Sequence, residues 1–170
     1  TDALIEFDYP STVSGPVKVS AFVDAVDWLA KDVAHLVLEL AEDQWLDFRP
    51  GQFVRIRVPG SDEWRSYSMV STEEALPRLE FLIRCLPEGK MSDYLRDDAA
   101  VDEVIELEGP FGSFYLRDDL QADHVMIAGG TGVAPMISML DTIRQKSGRK
   151  PKMLLSFGCL DEPSLFYTEE

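Results

Sequence analysis

Between residues 17 and 107, apolar and polar positions alternate in short runs separated by Gly, Pro and Asp. Alternation with a period of two marks half-buried β-strands, because successive side chains leave opposite faces of the pleat. The pattern predicts strands over 17–27, 33–40, 52–58, around Arg65, over 79–86 and over 101–107, with a break at 28–32. In 33–40, Ala34, Leu36, Leu38 and Leu40 share one face and His35 and Glu39 take the other. In 52–58, Phe53, Arg55 and Arg57 oppose Val54, Ile56 and Val58. Turns are expected at Pro50-Gly51, at 59–62 and, as a stiff corner, at 109–112. Short strands at this spacing argue for an antiparallel barrel or sandwich. Residues 1–16, ending in Ser14-Gly15-Pro16, read as a linker or lead-in.

The rhythm changes twice. After Pro87 a turn at Gly89 leads into a predicted short helix over 91–96. From Asp123 the pattern becomes α/β: a continuous apolar run over 124–128, a glycine loop over 129–132, and a helix over 136–144. Its predicted apolar stripe is Ile137, Leu140 and Ile143, and Gly148 to Pro151 stop it. A second buried strand over 152–158 completes one βαβ unit, and 164–170 reads as the start of another helix. The resulting division is a lead-in over 1–16, a barrel domain over 17–118 and an α/β portion over 119–170.

Composition narrows the function classes. The formal net charge of −15 comes from 31 acidic against 16 basic residues. Such a field repels nucleic acid and anionic membrane, so neither is expected as a partner. The uncharged run over 124–140 is short for a membrane span and is interrupted by Gly129, Gly130, Gly132 and Pro135. Residues 1–15 lack the basic start and apolar core of a signal peptide, so a cytoplasmic protein is expected. Cys85 and Cys159 form no CxxC pair, so no metal site is expected here, and His35 and His124 are isolated.

The chemistry gathers at three stretches. In Arg65-Ser66-Tyr67-Ser68, alternation puts Arg65 and Tyr67 on one face and the serines on the other. A guanidinium can grip phosphate oxygens in pairs, and a phenol ring offers a flat apolar surface. At Gly89-Lys90-Met91-Ser92, a helix opening after a glycine presents free N–H groups to an anion. At Gly129-Gly130-Thr131-Gly132, a glycine loop before a helix can cradle a phosphate. Pro135 stands where the third glycine of a GxGxxG fingerprint would be, so this loop is weak evidence by itself.

Taken in order, RSYS, GKMS, GPFG and GGTGVAP resemble the ferredoxin–NADP reductase superfamily. More narrowly, PEGKMSDYL and EGPFGSFYLRD resemble the reductase component of benzoate-type ring-hydroxylating dioxygenases, over residues 17–170. The resemblance implies a six-stranded antiparallel Greek-key flavin barrel followed by a doubly wound nicotinamide domain. It implies a flavin-dependent NAD(P)H oxidoreductase that passes electrons to an iron–sulfur centre in a domain or partner outside this sequence. FAD is the implied flavin, ahead of FMN, and NADH or NADPH the co-substrate.

By the same resemblance, Arg65 would bind the flavin phosphates, Ser66 beside it would be among the cofactor-binding residues, Tyr67 would lie on the ring, and Ser68 would hydrogen-bond near its reactive nitrogen. Leu82, Ile83 and Arg84 would line the flavin through their backbone. Lys90, Met91 and Ser92 would hold the pyrophosphate, with Gly89, the glycine of the tight turn, also among the cofactor-binding residues. Gly129, Gly130, Thr131, Gly132 and Pro135 would face the nicotinamide nucleotide, with Thr131 and Ser68 nearest the reaction. The family's C-terminal Cys-Gly motif and its plant-type ferredoxin domain have no counterpart here, so a piece of a longer reductase is expected. Two other readings remain at this stage: an electron-transfer flavoprotein subunit, or a non-catalytic flavin-binding module. Asp161 and Glu162 after the last strand favour NADH, since carboxylates repel a 2′-phosphate.

Overall fold

The computed structural model describes residues 15–117 and 122–167. The lead-in up to residue 14, the expected boundary at 118/119 and residues 168–170 lie outside the described residues.

Six strands, β1 (Val17–Ala30), β2 (Val33–Leu40), β3 (Phe53–Arg57), β4 (Trp64–Ser68), β5 (Arg78–Arg84) and β6 (Val104–Phe111), make one antiparallel sheet ordered β4-β3-β6-β1-β2-β5. A bridge between Met69 and Phe81, and a 2.8 Å hydrogen bond from the Val70 N–H to the Glu80 carbonyl, join its two edges. The sheet thus closes into a barrel with no free edge at that point. The inward set is the one the alternation predicts. Leu36 and Leu38 of β2, Val54 and Ile56 of β3, Leu79 and Phe81 of β5, and Ile105 and Leu107 of β6 are all fully buried.

The expected break at 28–32 is not there. Trp28 pairs with Ala34 and Ala30 with Val33, so β1 runs to Ala30 and only Lys31 and Asp32 turn the chain. A register shift between Trp28 and Ala30 accounts for the loss of alternation that suggested a break. The sixth strand also lies later than 101–107. It continues through the expected corner at 109–112, with Val17 paired to Gly109 and Phe53 to Phe111. Gly109 allows this because a Cβ there would sit 2.8 Å from Cγ1 of Val54 on the neighbouring strand.

Helix α1 (Lys90–Asp93) runs into a π-helical turn over Tyr94–Asp98, so the expected helix over 91–96 is present and longer. Its Met91, Tyr94 and Leu95 enter the barrel core. The Tyr94 hydroxyl donates to Glu103 at 2.7 Å, which anchors this segment to the start of β6.

Strands β7 (His124–Gly129) and β8 (Met153–Gly158) pair in parallel, joined through a glycine 3₁₀ turn at Gly130–Val133 and helix α2 (Ala134–Gln145). The deep face of α2 is Pro135, Met139 and Ile143 together with Ser138; the predicted Ile137 and Leu140 lie beside it, half-buried. The shift has a cause: α2 meets the barrel as well as its own sheet. Ser138 donates to the Ser71 carbonyl at 2.8 Å, and Val33, Val70 and Leu82 of the barrel pack with Ala128, Val133, Ala134 and Phe166. No helix forms over the described part of 164–170. A 3₁₀ turn at Glu162–Ser164, capped by Asp161, gives way to extended chain that inserts Phe166 into the shared core.

Candidate functional site

Strand β4 carries the expected face division. Arg65 pairs with Ile56 and Tyr67 with Val54, both inward residues, whereas Ser66 and Ser68 pair with Arg55 and Phe53 on the other face. Tyr67 is half-buried against the barrel core, and burial pushes its phenol up to about 12. It stays a neutral hydrogen-bond donor at any physiological pH.

Past the Met69–Phe81 bridge, β4 and β5 part. Antiparallel register would next oppose Tyr67 to Ile83 and Arg65 to Cys85, yet no such pairs form among the described residues. The barrel wall is therefore open between Arg65-Ser66-Tyr67-Ser68 and Leu82-Ile83-Arg84. The Ile83 side chain belongs to the barrel core and Leu82 to the core shared with the second lobe. Only the backbone of this stretch, and the Arg84 head, can face a ligand. Arg84 donates to Asp32 at 3.3 Å.

At the far end of this opening the chain brings two cations together. Glu63, just before β4, accepts from Arg65 through one carboxylate oxygen and from Lys90 at the start of α1 through the other. Lys90 and then Arg65 hold its carboxyl below the usual range. The turn that delivers Lys90 is tight: Glu88, not Gly89, takes the left-handed conformation (φ 58°). Gly89 is required for a different reason, since a Cβ there would stand 2.7 Å from the Ser92 hydroxyl. That hydroxyl is buried, accepts from the Leu86 N–H at 3.0 Å and also lies within hydrogen-bond reach of the Cys85 thiol. Met91 points into the barrel.

The glycine loop lies across a cleft of about 350 Å³ whose lining includes Asp32, Arg84, Gly130, Thr131, Cys159 and Leu160. Gly130 has φ 52°, and a Cβ at Gly130 or Gly132 would meet no atom within 4 Å. The loop thus presents bare backbone to open space, and Pro135 sits comfortably in the first turn of α2. One Asp32 carboxylate oxygen, in the lining of this cleft, is buried without a partner.

These features suit the two groups that the sequence pattern implies. Paired cations at one end of a slot, and a neutral phenol further along the same strand, match a diphosphate joined to a flat ring. An unobstructed glycine loop matches a second nucleotide. The pattern could have revealed Glu63, which stands two residues before Arg65 and so on its face of an extended chain; its link to Lys90 is a tertiary contact and could not be read there. Among the described residues no three His, Cys, Asp or Glu side chains gather to hold a metal, and no helix is long and apolar enough to cross a membrane.

Comparison with known proteins points the same way. Residues 20–115 match the model of the oxidoreductase FAD-binding domain, and residues 126–170 that of the oxidoreductase NAD-binding domain. The anthranilate 1,2-dioxygenase electron transfer component of Acinetobacter baylyi is 37% identical over 97% of the chain, which covers 49% of that protein. Component C of the methane monooxygenase of Methylosinus trichosporium is 42% identical over 86% of the chain and is covered to 44%. Among solved structures, an Amycolatopsis cytochrome P450 reductase superposes with a TM-score of 0.80 at 33% identity, covering 90% of this chain and 46% of its own. The chain spans about half the length of the curated relatives it matches.

Proposed function

Because the chain belongs to the oxidoreductase FAD-binding domain family, with an NAD-binding segment following in the same chain, we propose that it is the flavin- and nicotinamide-binding part of an oxygenase reductase. In this reading it takes reducing equivalents from NADH or NADPH and hands them to an iron–sulfur centre of a ferredoxin domain or oxygenase component. Bound flavin supplies the step that no side chain can: it accepts a two-electron hydride and gives up electrons one at a time.

The observation that carries this reading is the parting of β4 and β5. The gap has cations at one end, a neutral half-buried phenol along one wall, and bare backbone along the other. We assign 17–118 to the flavin domain and 119–170 to the nicotinamide domain. Arg65, Lys90 and the hydroxyl of Ser92 hold the phosphates, with Ser66, Gly89 and Met91 shaping their surroundings. Tyr67 covers the ring, Ser68 donates to its edge, and the backbone of Leu82, Ile83 and Arg84 faces it. Gly129, Gly130, Thr131 and Gly132 receive the nicotinamide nucleotide, and Pro135 fixes the helix that the loop opens. Ser68 and Thr131 are the residues nearest the transferred hydride. Orienting the two rings in contact is the protein's contribution to rate.

NADH is favoured over NADPH, since the turn after β8 carries Asp161 and Glu162 and no cation, although one Asp161 oxygen is committed to capping Ser164. Both cysteines are free thiols, which suits a cytoplasmic location. The test is direct. The chain purified with FAD should show a flavin absorption band that bleaches when NADH is added without oxygen. A chain that takes up no flavin would overturn the proposal.

A further inference from the structure

We propose that Glu63 is an internal occupant of the phosphate site, a carboxylate that holds Arg65 and Lys90 together until a diphosphate displaces it. The inference rests on the flavin reading and adds a competitor to it. The three side chains come from separate places: the approach to β4, β4 itself, and the first residue of α1, 27 positions after Glu63. Each Glu63 oxygen serves one cation, so a single anion bridges both. A phosphate oxygen pair would ask for the same donors in the same place.

Two consequences follow from charge alone. Without Glu63, the Arg65 and Lys90 heads would have no carboxylate partner among the described residues, and their repulsion would spread the site. With Glu63, they stay converged, but an incoming diphosphate must first break both pairs. Displacement needs no unfolding, because side-chain exposures of 37% for Glu63, 47% for Arg65 and 57% for Lys90 leave all three within reach of solvent. The same two cations keep the Glu63 carboxyl ionised below the usual acid range, so the competitor is present at every physiological pH. Arg65 keeps a second anchor, its 3.1 Å bond to the Trp64 carbonyl, when Glu63 leaves. Glu63 therefore costs affinity for ligands that carry phosphates and leaves those without phosphates untouched.

The test is titration of the flavin-free 170-residue chain with FAD and with riboflavin, followed by flavin fluorescence, in wild type, Glu63→Gln and Glu63→Ala. Two exposed ion pairs are at stake, so both variants should bind FAD roughly three- to tenfold more tightly than wild type. Riboflavin affinity should not change, and the FAD affinity of the variants should fall more steeply with salt. FAD affinity that is unchanged or weakened in both variants overturns the proposal, the second result making Glu63 a positioning residue. Riboflavin tightening as much as FAD overturns it too, since the effect would not then lie at the phosphates. Wild type that binds neither ligand is a different failure, that of the flavin reading itself.

Discussion

At Arg65, one guanidinium donates to both Glu63 and the Trp64 carbonyl beside the β4–β5 gap. Arg65→Ala should weaken FAD binding by about 2 kcal/mol, the worth of a charge-assisted contact, while leaving the melting temperature nearly unchanged because the side chain is half exposed. Arg65→Lys should recover only part of the loss, since an ammonium lacks the planar fork that meets two oxygens in parallel. Wild-type flavin occupancy in purified Arg65→Ala would remove Arg65 from the phosphate site. Tyr67 differs in kind, because it is part of the barrel wall as well as a face for the ring. Tyr67→Ala should raise flavin emission and also cost about 2 kcal/mol of stability through lost packing, whereas Tyr67→Phe should do neither. A second titrating residue lies on the outer wall. His35 and then Arg78 hold the Glu80 carboxyl down to about 2, through hydrogen bonds of 2.8 and 2.9 Å. A depressed carboxyl stabilises the fold above its unfolded value and loses that contribution as pH falls through the folded one. Unfolding free energy should therefore drop by about 1 kcal/mol between pH 5 and 2 on this account, after allowance for solvent screening. In Glu80→Gln that part of the drop should be missing, and an unaltered acid profile would show that the pair contributes nothing.

The elements divide by how local their causes are. Strands β2, β3 and β5 follow from alternation within a few residues, and so does the shared face of Arg65 and Tyr67. The run of β1 to Ala30 does not, because its end is set by pairing with β2 across a register shift. Nor does the deep face of α2, which is rotated towards Pro135 and Met139 by a barrel wall far off in sequence. The two glycine stretches show the same split. Gly130 could be read as a loop glycine from its neighbours, but the demand at Gly89 comes from the folded-back Ser92 hydroxyl. Their substitutions should accordingly fail in different ways. Gly89→Ala forces a contact of 2.7 Å onto a buried hydroxyl and should cost roughly 1–3 kcal/mol of barrel stability along with flavin retention. Gly130→Ala meets open space, so its cost is confined to the left-handed backbone, about 1 kcal/mol, and should leave flavin binding alone while weakening NADH binding. Differential scanning calorimetry beside separate flavin and NADH titrations distinguishes the two. Loss of flavin in Gly130→Ala would mean that the lobes are coupled more tightly than the hydrogen bonds suggest.

On the scale of the molecule, the barrel is closed apart from the β4–β5 gap, whereas the second lobe leaves one whole face of its sheet uncovered. The β7–β8 register puts Met126 and Ala128 with Leu155 and Phe157 on the face covered by α2. It puts Val125, Ile127 and Leu154 on the opposite face, where they are 69%, 75% and 62% exposed. Parallel strands are ordinarily covered on both faces, so a row of aliphatic side chains here is an adhesive surface. The net charge of −15 opposes self-association at long range, but salt screens it over about 10 Å at moderate ionic strength. The 170-residue chain should therefore sediment as a monomer in dilute buffer at low salt and shift to larger species as salt and protein concentration rise. Ile127→Lys places a charge at the middle of the patch without touching the α2 face or the β4–β5 gap. It should abolish the salt-induced association and leave FAD affinity at the wild-type value. Association that weakens with salt would mean that ion pairs rather than the exposed sheet hold the copies together. Persistence of association in Ile127→Lys would move the contact to another surface, with exposed Trp45 and Phe114 on the barrel as the next candidates.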